Sequence, residues 1–306
     1  MIQGFDAVRD TFLANLSGLQ TRMAVTQEQL SSGVRVNTAA DDPSAVGDIL
    51  QLEFNINGVK QTQTNLASIQ GEVNTAESAL QSAGSLLDQA QTLGIQGANG
   101  TQSASGRAAL AQQVQGILGQ LVDISQTAYQ GSYVFSGDQS TSPAYQLDSA
   151  SPNGVDRLLN NPSTRLAQDV NGITFAVSLT AGQIFDHRNP DDTLASDNVF
   201  AAVNSLQLAL SNNDQAGINS ALTSLSTAQN YMEQLHSFYG ATQNRLSNSL
   251  DLAQKYQTQW EASLSQVKDT DIAAATTDLA SENLSQQAAL QAQAAFPRNS
   301  LFDYLK

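Results

Sequence analysis

Read for its apolar positions, the start of the chain repeats like one face of a helix. Phe5, Phe12, Leu16, Leu19, Met23 and Leu30 follow one another at intervals of 7, 4, 3, 4 and 7 residues. That is the spacing of a seam that a second helix covers. Gly33, after Ser31 and Ser32, predicts the stop, because glycine takes the left-handed conformation past a helix end. Residues 34–40 read as a connector. Asp42 and Pro43 then open a second helix, the aspartate as cap and the proline in the first helical position. Its apolar face runs Ile49, Leu52, Ile56, Val59. After a phase slip near Leu66 it continues Leu66, Ile69, Val73, Ala76, Leu80, Ala83, Leu87, Ala90. If continuous to Gly97, this helix is roughly 80 Å long at ~1.5 Å per residue. Asn99-Gly100-Thr101 predicts its end. Leu110, Val114, Ile117, Leu121, Ile124 and Ala128 give a third helix, folded back as an antiparallel hairpin.

The pattern changes near Gly131. Four of the six prolines, Pro143, Pro152, Pro162 and Pro190, fall in the next stretch. Tyr133-Val134-Phe135 reads as a strand. Residues 164–168 and 173–179 flank Asn171-Gly172, a hairpin signal. Residues from about 137 to 190 are therefore predicted as a small β-rich insert whose ends lie close together, so that 138–190 could be replaced by a short linker. Helix returns with Val199, Val203, Leu206 and Leu210. Asp214 caps another that runs from Ile218 to Val267, and Asp269-Thr270-Asp271 breaks it. A last helix, rich in Ala and Gln, runs from Ile272 toward Phe296. Its Leu279, Leu284 and Leu290 do not share one seam. Pro297 interrupts, and an apolar tail follows with Leu301, Phe302, Tyr304 and Leu305. Such a cluster marks an interaction site, and the N-terminal seam of Phe5, Phe12 and Leu16 is its expected partner. The fold class is thus mainly α: a long antiparallel helical rod, coiled-coil helices at both termini, and a small β-rich inserted domain.

Composition narrows the function. Thirteen Lys and Arg face 28 Asp and Glu over 306 residues, a net charge of −15. The basic residues are scattered, which argues against nucleic acid and anionic membranes as partners. No apolar run reaches the ~20 residues of a membrane span, and no secretory signal opens the chain. There is no cysteine and there are two distant histidines, His187 and His236, so neither a thiolate nor a histidine metal site is expected. The acidic loop 186–192 lacks the glycine and the terminal glutamate of a calcium loop. No nucleophile triad or phosphate-binding glycine pattern is visible. The reading is an assembly protein without cofactor, not an enzyme. Arg35 beside Asp41 and Asp42 reads as a local ion pair on the surface.

Three words in the chain are specific. Residues 29–43, QLSSGVRVNTAADDP, residues 93–101, LGIQGANGT, and residues 240–246, GATQNRL, resemble motifs of the flagellin superfamily, in the family's order and spacing. The resemblance covers the whole chain and is weakest in the insert. Within the superfamily, the Tyr133-Val134-Phe135-Ser136-Gly137 entry, the 170–185 stretch and the Ser300–Leu305 ending resemble the branch that joins hook to filament more than the filament subunit itself. The resemblance implies an N-terminal inner-tube helix at 1–42, a helical rod formed by 43–130 and 196–267, a β-rich outer domain at 131–195 and a C-terminal inner-tube helix at 268–306. It also implies a place outside the cell, on the flagellum, reached without a cleaved signal. The implied partners are further copies of the chain, a neighbouring hook-associated protein, flagellin, an export chaperone and the type III export apparatus. Gln89, Gln91 and Thr92 depart from the residues by which some flagellins are seen by an innate immune receptor, so that recognition is not expected.

Overall fold

The computed structural model describes residues 2–159 and 163–295, with side chains from residue 9 to residue 294. Helix α1, Ile2–Ser32, ends where Gly33 turns to φ +72° and its N–H closes on the Gln29 carbonyl at 2.9 Å. Helix α2, Pro43–Ala98, opens with Asp42 Oδ1 accepting the Ala45 N–H. It runs unbroken for 56 residues, and Leu66, at the phase slip, is fully buried. Helix α3, Ala104–Ser125, is capped by Ser103. Between α3 and the later helices lie three two-stranded antiparallel ribbons: β1, Ala128–Tyr129, with β2, Ser132–Tyr133; β3, Tyr145–Leu147, with β4, Val155–Arg157; and β5, Leu166–Gln168, with β6, Thr174–Ala176. A capping box on Thr180 and Gln183 starts the short α4, Ala181–Ile184. Asn198 caps α5, Val199–Ser211. Asp214 caps α6, Gln215–Lys268, and Asp271 caps α7, Ile272–Ala295.

The chain divides into two compact units: residues 59–255, and residues 1–58 with 256–306. The 59–255 unit holds one continuous apolar cluster. It takes Leu66, Leu80 and Leu87 from α2, Leu121 from α3, Leu206 and Leu210 from α5, and Ile218 and Leu246 from α6. The insert belongs to this same cluster and is not an appendage. Phe135 meets Phe185 edge-on with ring centroids 5.8 Å apart, Phe185 stacks on Phe200 of α5 at 5.6 Å, and Tyr145 closes on Phe200 at 5.4 Å. Gly154, at φ +77°, lets the ribbon approach so closely that a Cβ there would strike Leu118 and Asn204. Polar ties follow the apolar ones. Tyr239 Oη accepts the Leu179 N–H at 3.1 Å, Tyr231 Oη donates to the Gln183 carbonyl, Arg165 pairs with Glu72, and Arg245 lies 4.1 Å over the Phe175 ring. Burial holds the Tyr239 hydroxyl neutral, its pKa pushed up to about 12.

The strand expected at 133–135 is shorter than its sequence suggests. Gln130 and Gly131 both take positive φ, which makes a tight turn. The regular strand ends at Tyr133, one further bond runs from the Val134 N–H to the Thr127 carbonyl at 2.9 Å, and Val134 and Phe135 are both buried in the core. The packing also alters the expectation for the insert: its aromatic residues are shared core, so its removal would open a cavity in the helices.

At the other end of this unit Arg107 is buried without a carboxylate. Its guanidinium donates to the Gly97 and Asn99 carbonyls at 2.8 and 3.1 Å, and to Asn213 Oδ1 and Gln215 Oε1, both at 2.6 Å. A cation at the end of α2 satisfies carbonyls that the helix leaves open and opposes their dipole.

Candidate functional site

The candidate surface lies in the unit formed by residues 1–58 and 256–306. Its centre is a joint between two connectors. The word after α1, residues 33–42, and the break between α6 and α7 meet as short antiparallel backbone, with Val34 bridged to Asp269. The Arg35 and Val36 N–H groups donate to the Lys268 carbonyl at 2.7 and 3.3 Å, and the Thr270 N–H donates to the Gly33 carbonyl at 3.0 Å. Arg35 then spans the joint. One guanidinium nitrogen donates to Asp42 Oδ2 at 2.9 Å, and the other to the Val267 carbonyl, at the end of α6, at 2.7 Å. The sequence reading paired Arg35 with an aspartate but did not reveal this second contact, since nothing in the spacing links residue 35 to residue 267.

The carboxylates around Arg35 are held by several donors. Asp41 Oδ2 accepts the N–H groups of Asn37 and Thr38 at 3.0 and 2.7 Å, and these bonds lower its pKa. Asp42 accepts from Ser44 at 2.6 Å, from Arg35 and from the Ala45 N–H, and these partners lower its pKa to about 2. Lys268 reaches Glu53 at 2.8 Å. Beneath lies a small apolar cluster of Val36, Ala45 and Ile49, covered by Leu264 and Val267. The Ser-Gly-x-Arg-x-Asn and Asp-Asp words are therefore the chemistry of one joint.

From the joint α1 and α7 pack together. Thr26 Oγ1 lies 3.4 Å from Glu282 Oε2, and the Arg22 guanidinium lies 3.9 Å from the same carboxylate. Leu19 is buried, whereas Phe12, Leu16, Met23 and Leu30 are half-buried. Phe12, Leu16 and Leu19 line a cleft of about 660 Å³ whose other wall includes Glu282, Ser285 and Ala289. The structure thus brings Phe12, Leu16 and Leu19 together. Phe5 falls on α1 ahead of the described side chains, and Leu301, Phe302 and Leu305 lie outside the described residues. Leu284 and Leu290, which share no seam in sequence, are exposed on α7.

A second cleft, about 530 Å³, lies in the insert and is lined by Tyr145, Arg157, Asp186 and Arg188. Its fully buried carboxylate is saturated from within. Asn153 and Asn198 donate to Asp186 Oδ1, both at 2.8 Å, while Arg188, Tyr145 and Arg157 donate to Oδ2 at 2.9, 3.1 and 3.4 Å. Burial and that charge push the Tyr145 hydroxyl pKa upward. This arrangement fastens the ribbon and loop segments around Asp186. His187, in the neighbouring loop, bonds Asp197 at 2.7 Å and stacks on Tyr231. Among the described residues no group of three His, Asp or Glu side chains could hold a metal ion, and no helix is long and apolar enough to cross a membrane. What the terminal unit offers is incompletely covered apolar surface on paired helices, which suits packing against another chain.

Two family models match the chain. That of the bacterial flagellin N-terminal helical region spans residues 8–140, and that of the bacterial flagellin C-terminal helical region spans residues 218–305. Flagellin A of Vibrio anguillarum is 26% identical, over 92% of this chain and 93% of that one. The flagellin of Clostridium tyrobutyricum is 28% identical over 42% of this chain, and that match spans only 34% of the relative's length. The crystal structure of flagellar hook associated protein-3 from Legionella pneumophila shares the fold, with a TM-score of 0.61 at 17% identity, over 72% of this chain and 98% of that one.

Proposed function

The chain belongs to the bacterial flagellin superfamily, and we propose that it is a structural subunit of the flagellum placed at the junction between hook and filament. The observation that carries this reading is the terminal unit, a stitched joint that presents paired helices with a half-covered apolar seam. A protein that acts by itself would gain nothing from leaving Phe12, Leu16 and Met23 half exposed. A subunit in a tube covers them with its neighbours. In this reading the chain is secreted unfolded through the type III export apparatus, escorted by an export chaperone. It packs against further copies of itself, a hook-associated protein on one side and flagellin on the other.

The second reading is the filament subunit itself, and the curated relatives named flagellin favour it. Cells lacking the gene, viewed by electron microscopy, separate the two when combined with immunogold labelling of the parent strain. The junction reading predicts hooks without filaments in the mutant, and label confined to a short zone between hook and filament in the parent. Label along the whole filament would reject it in favour of flagellin.

A further inference from the structure

The chain holds four Asn-Gly pairs: Asn57-Gly58, Asn99-Gly100, Asn153-Gly154 and Asn171-Gly172. Such a pair carries its own modification chemistry. The glycine nitrogen can close a five-membered ring on the asparagine side-chain carbonyl carbon, and no Cβ hinders it. The fold treats the four pairs differently. Asn57 and Gly58 lie inside α2, where the backbone keeps to helical geometry. Asn153 is buried, its amide donates to Asp186 Oδ1 at 2.8 Å, and the Gly154 N–H donates to the Ser151 carbonyl at 2.9 Å. The Gly172 N–H is engaged in its turn by the Asp169 carbonyl at 3.0 Å. Asn99 and Gly100 lie in the exposed turn between α2 and α3, and among the described residues the Gly100 N–H has no hydrogen-bond partner. An added Cβ at Gly100 would meet no atom within 4 Å, so water reaches this pair.

Both carbonyl groups that this chemistry uses are already held at Asn99. Thr101 donates twice to the side-chain oxygen Oδ1, through its N–H at 3.0 Å and its Oγ1 at 2.9 Å. Negative charge develops on that oxygen as the ring closes, and donors fixed in advance stabilise it. The main-chain carbonyl of Asn99 accepts from Arg107 Nη2 at 3.1 Å. That guanidinium is buried, and its other partners are uncharged.

We propose that Asn99-Gly100 is a self-modification site, at which Thr101 promotes ring closure and Arg107 directs ring opening toward isoaspartate. The Gly100 nitrogen loses its proton to solvent and bonds to Asn99 Cγ. The bond from Cγ to Nδ2 breaks, and that nitrogen takes a proton from solvent and departs as ammonia. Water then attacks the main-chain carbonyl carbon of the succinimide, whose oxygen Arg107 polarises. The bond from this carbon to the Gly100 nitrogen breaks, and the nitrogen recovers a proton. One water enters, one ammonia leaves, and nothing is oxidised or reduced. The chain now runs through Cβ and Cγ of residue 99, and the freed α-carboxylate stands at the oxygen that Arg107 already contacts. The guanidinium, which stays charged, thereby gains a counter-ion through a charge-assisted bond.

The purified full chain, folded or in urea, is incubated at mildly alkaline pH. Its peptides are then followed by mass spectrometry with electron-transfer fragmentation, which tells isoaspartate from aspartate. In urea the four pairs should convert at similar rates. In the folded chain Asn99 should convert fastest, and about tenfold or more faster than Asn57 and Asn153, which react only through local opening. Thr101→Val, at an exposed position, should leave the melting temperature unchanged and slow Asn99 by about two- to tenfold, the worth of one hydrogen bond. The ratio of isoaspartate to aspartate at 99 should be higher in the folded chain than in urea, and Arg107→Met should bring it back toward the urea value. Conversion of Asn99 no faster than that of the other three in the folded chain, or an unchanged rate in Thr101→Val, would overturn the proposal. A product ratio equal to that in urea, or unmoved by Arg107→Met, would overturn the role of Arg107.

Discussion

The two units spend their leucines differently. In the 59–255 unit Leu66, Leu80, Leu87, Leu121, Leu206 and Leu210 are at most 1% exposed, and its exposed leucines, Leu147, Leu158, Leu166 and Leu208, lie outside that set. In the terminal unit Leu13, Leu50, Leu284 and Leu290 stand between 48 and 69% exposed, and the buried apolar residues described there are Leu19, Val36, Ala45, Ile49, Ile56 and Ala275, three of them alanines or valines and two of those, Val36 and Ala45, in the joint. Both units are helical, so local sequence is not what separates them. The first unit closes its core with α3, α5 and the insert. The second has one helix against another, and long helices owe most of their stability to packing. In the proposed reading helix formation and core formation are distinct steps here, and the second step in the terminal unit is left to assembly.

The comparison breaks if the insert proves separable. Replacing residues 138–190 by a Gly/Ser linker removes Tyr145, Phe175 and Phe185 from the shared core, so we expect loss of cooperative helical unfolding by circular dichroism. A folded, cooperative remainder would show that the helices close their own core. Next in size, Phe200→Ala should destabilise the monomer by about 3–5 kcal/mol, the range for emptying an aromatic site. Leu16→Ala, on the half-covered seam, should cost less than about 1 kcal/mol in the same denaturant titration. Similar costs at the two positions would erase the distinction between the units. Arg107→Met keeps the unbranched apolar stem of the side chain but leaves the Gly97 and Asn99 carbonyls without this donor. A loss of about 1–3 kcal/mol is expected, and it should appear in the 59–255 unit alone.

The smallest effect sharpens the picture of the joint. Asp41 and Asp42 have folded-state pKa values below their usual 3.8, that of Asp42 about 2. A lowered carboxylate pKa gives stability that is complete above the unfolded value and is lost as pH falls through the folded one. Cleavage near residues 33–42 by an acid-active protease should therefore be low at pH 4 and rise between about pH 4 and pH 2. In Arg35→Gln, which removes one of Asp42's partners, the rise should begin at a higher pH. An unchanged profile would show that Arg35 does not hold the joint.

Much of this fold was legible in the chain because it is written locally. Gly33, Asp42 with Pro43, Asp214 and Asp271 mark helix ends by capping chemistry that needs no tertiary knowledge. Heptad spacing gave the inward face of α2 through its phase slip. Contacts far apart in sequence were not legible. Arg35 to Val267, Lys268 to Glu53 and Arg107 to Gln215 each join residues more than 100 positions apart. No periodicity encodes them. The small β-rich insert was legible from its prolines and turns, but the packing of Phe135 and Phe185 toward Phe200 of α5 was not. For the candidate surface, spacing supplied Phe12, Leu16 and Leu19.

Hydrogen exchange of the purified monomer, read by mass spectrometry at peptide resolution, tests the central claim most directly. If the terminal unit completes its core only in the assembly, peptides from 9–32 and 272–295 should exchange about a hundredfold or more faster than those from 66–90 and 199–210, since local opening there exposes little buried apolar surface. Equal protection across the four segments would contradict the account, because it would mean that α1 and α7 are already held by a core as complete as that of residues 59–255.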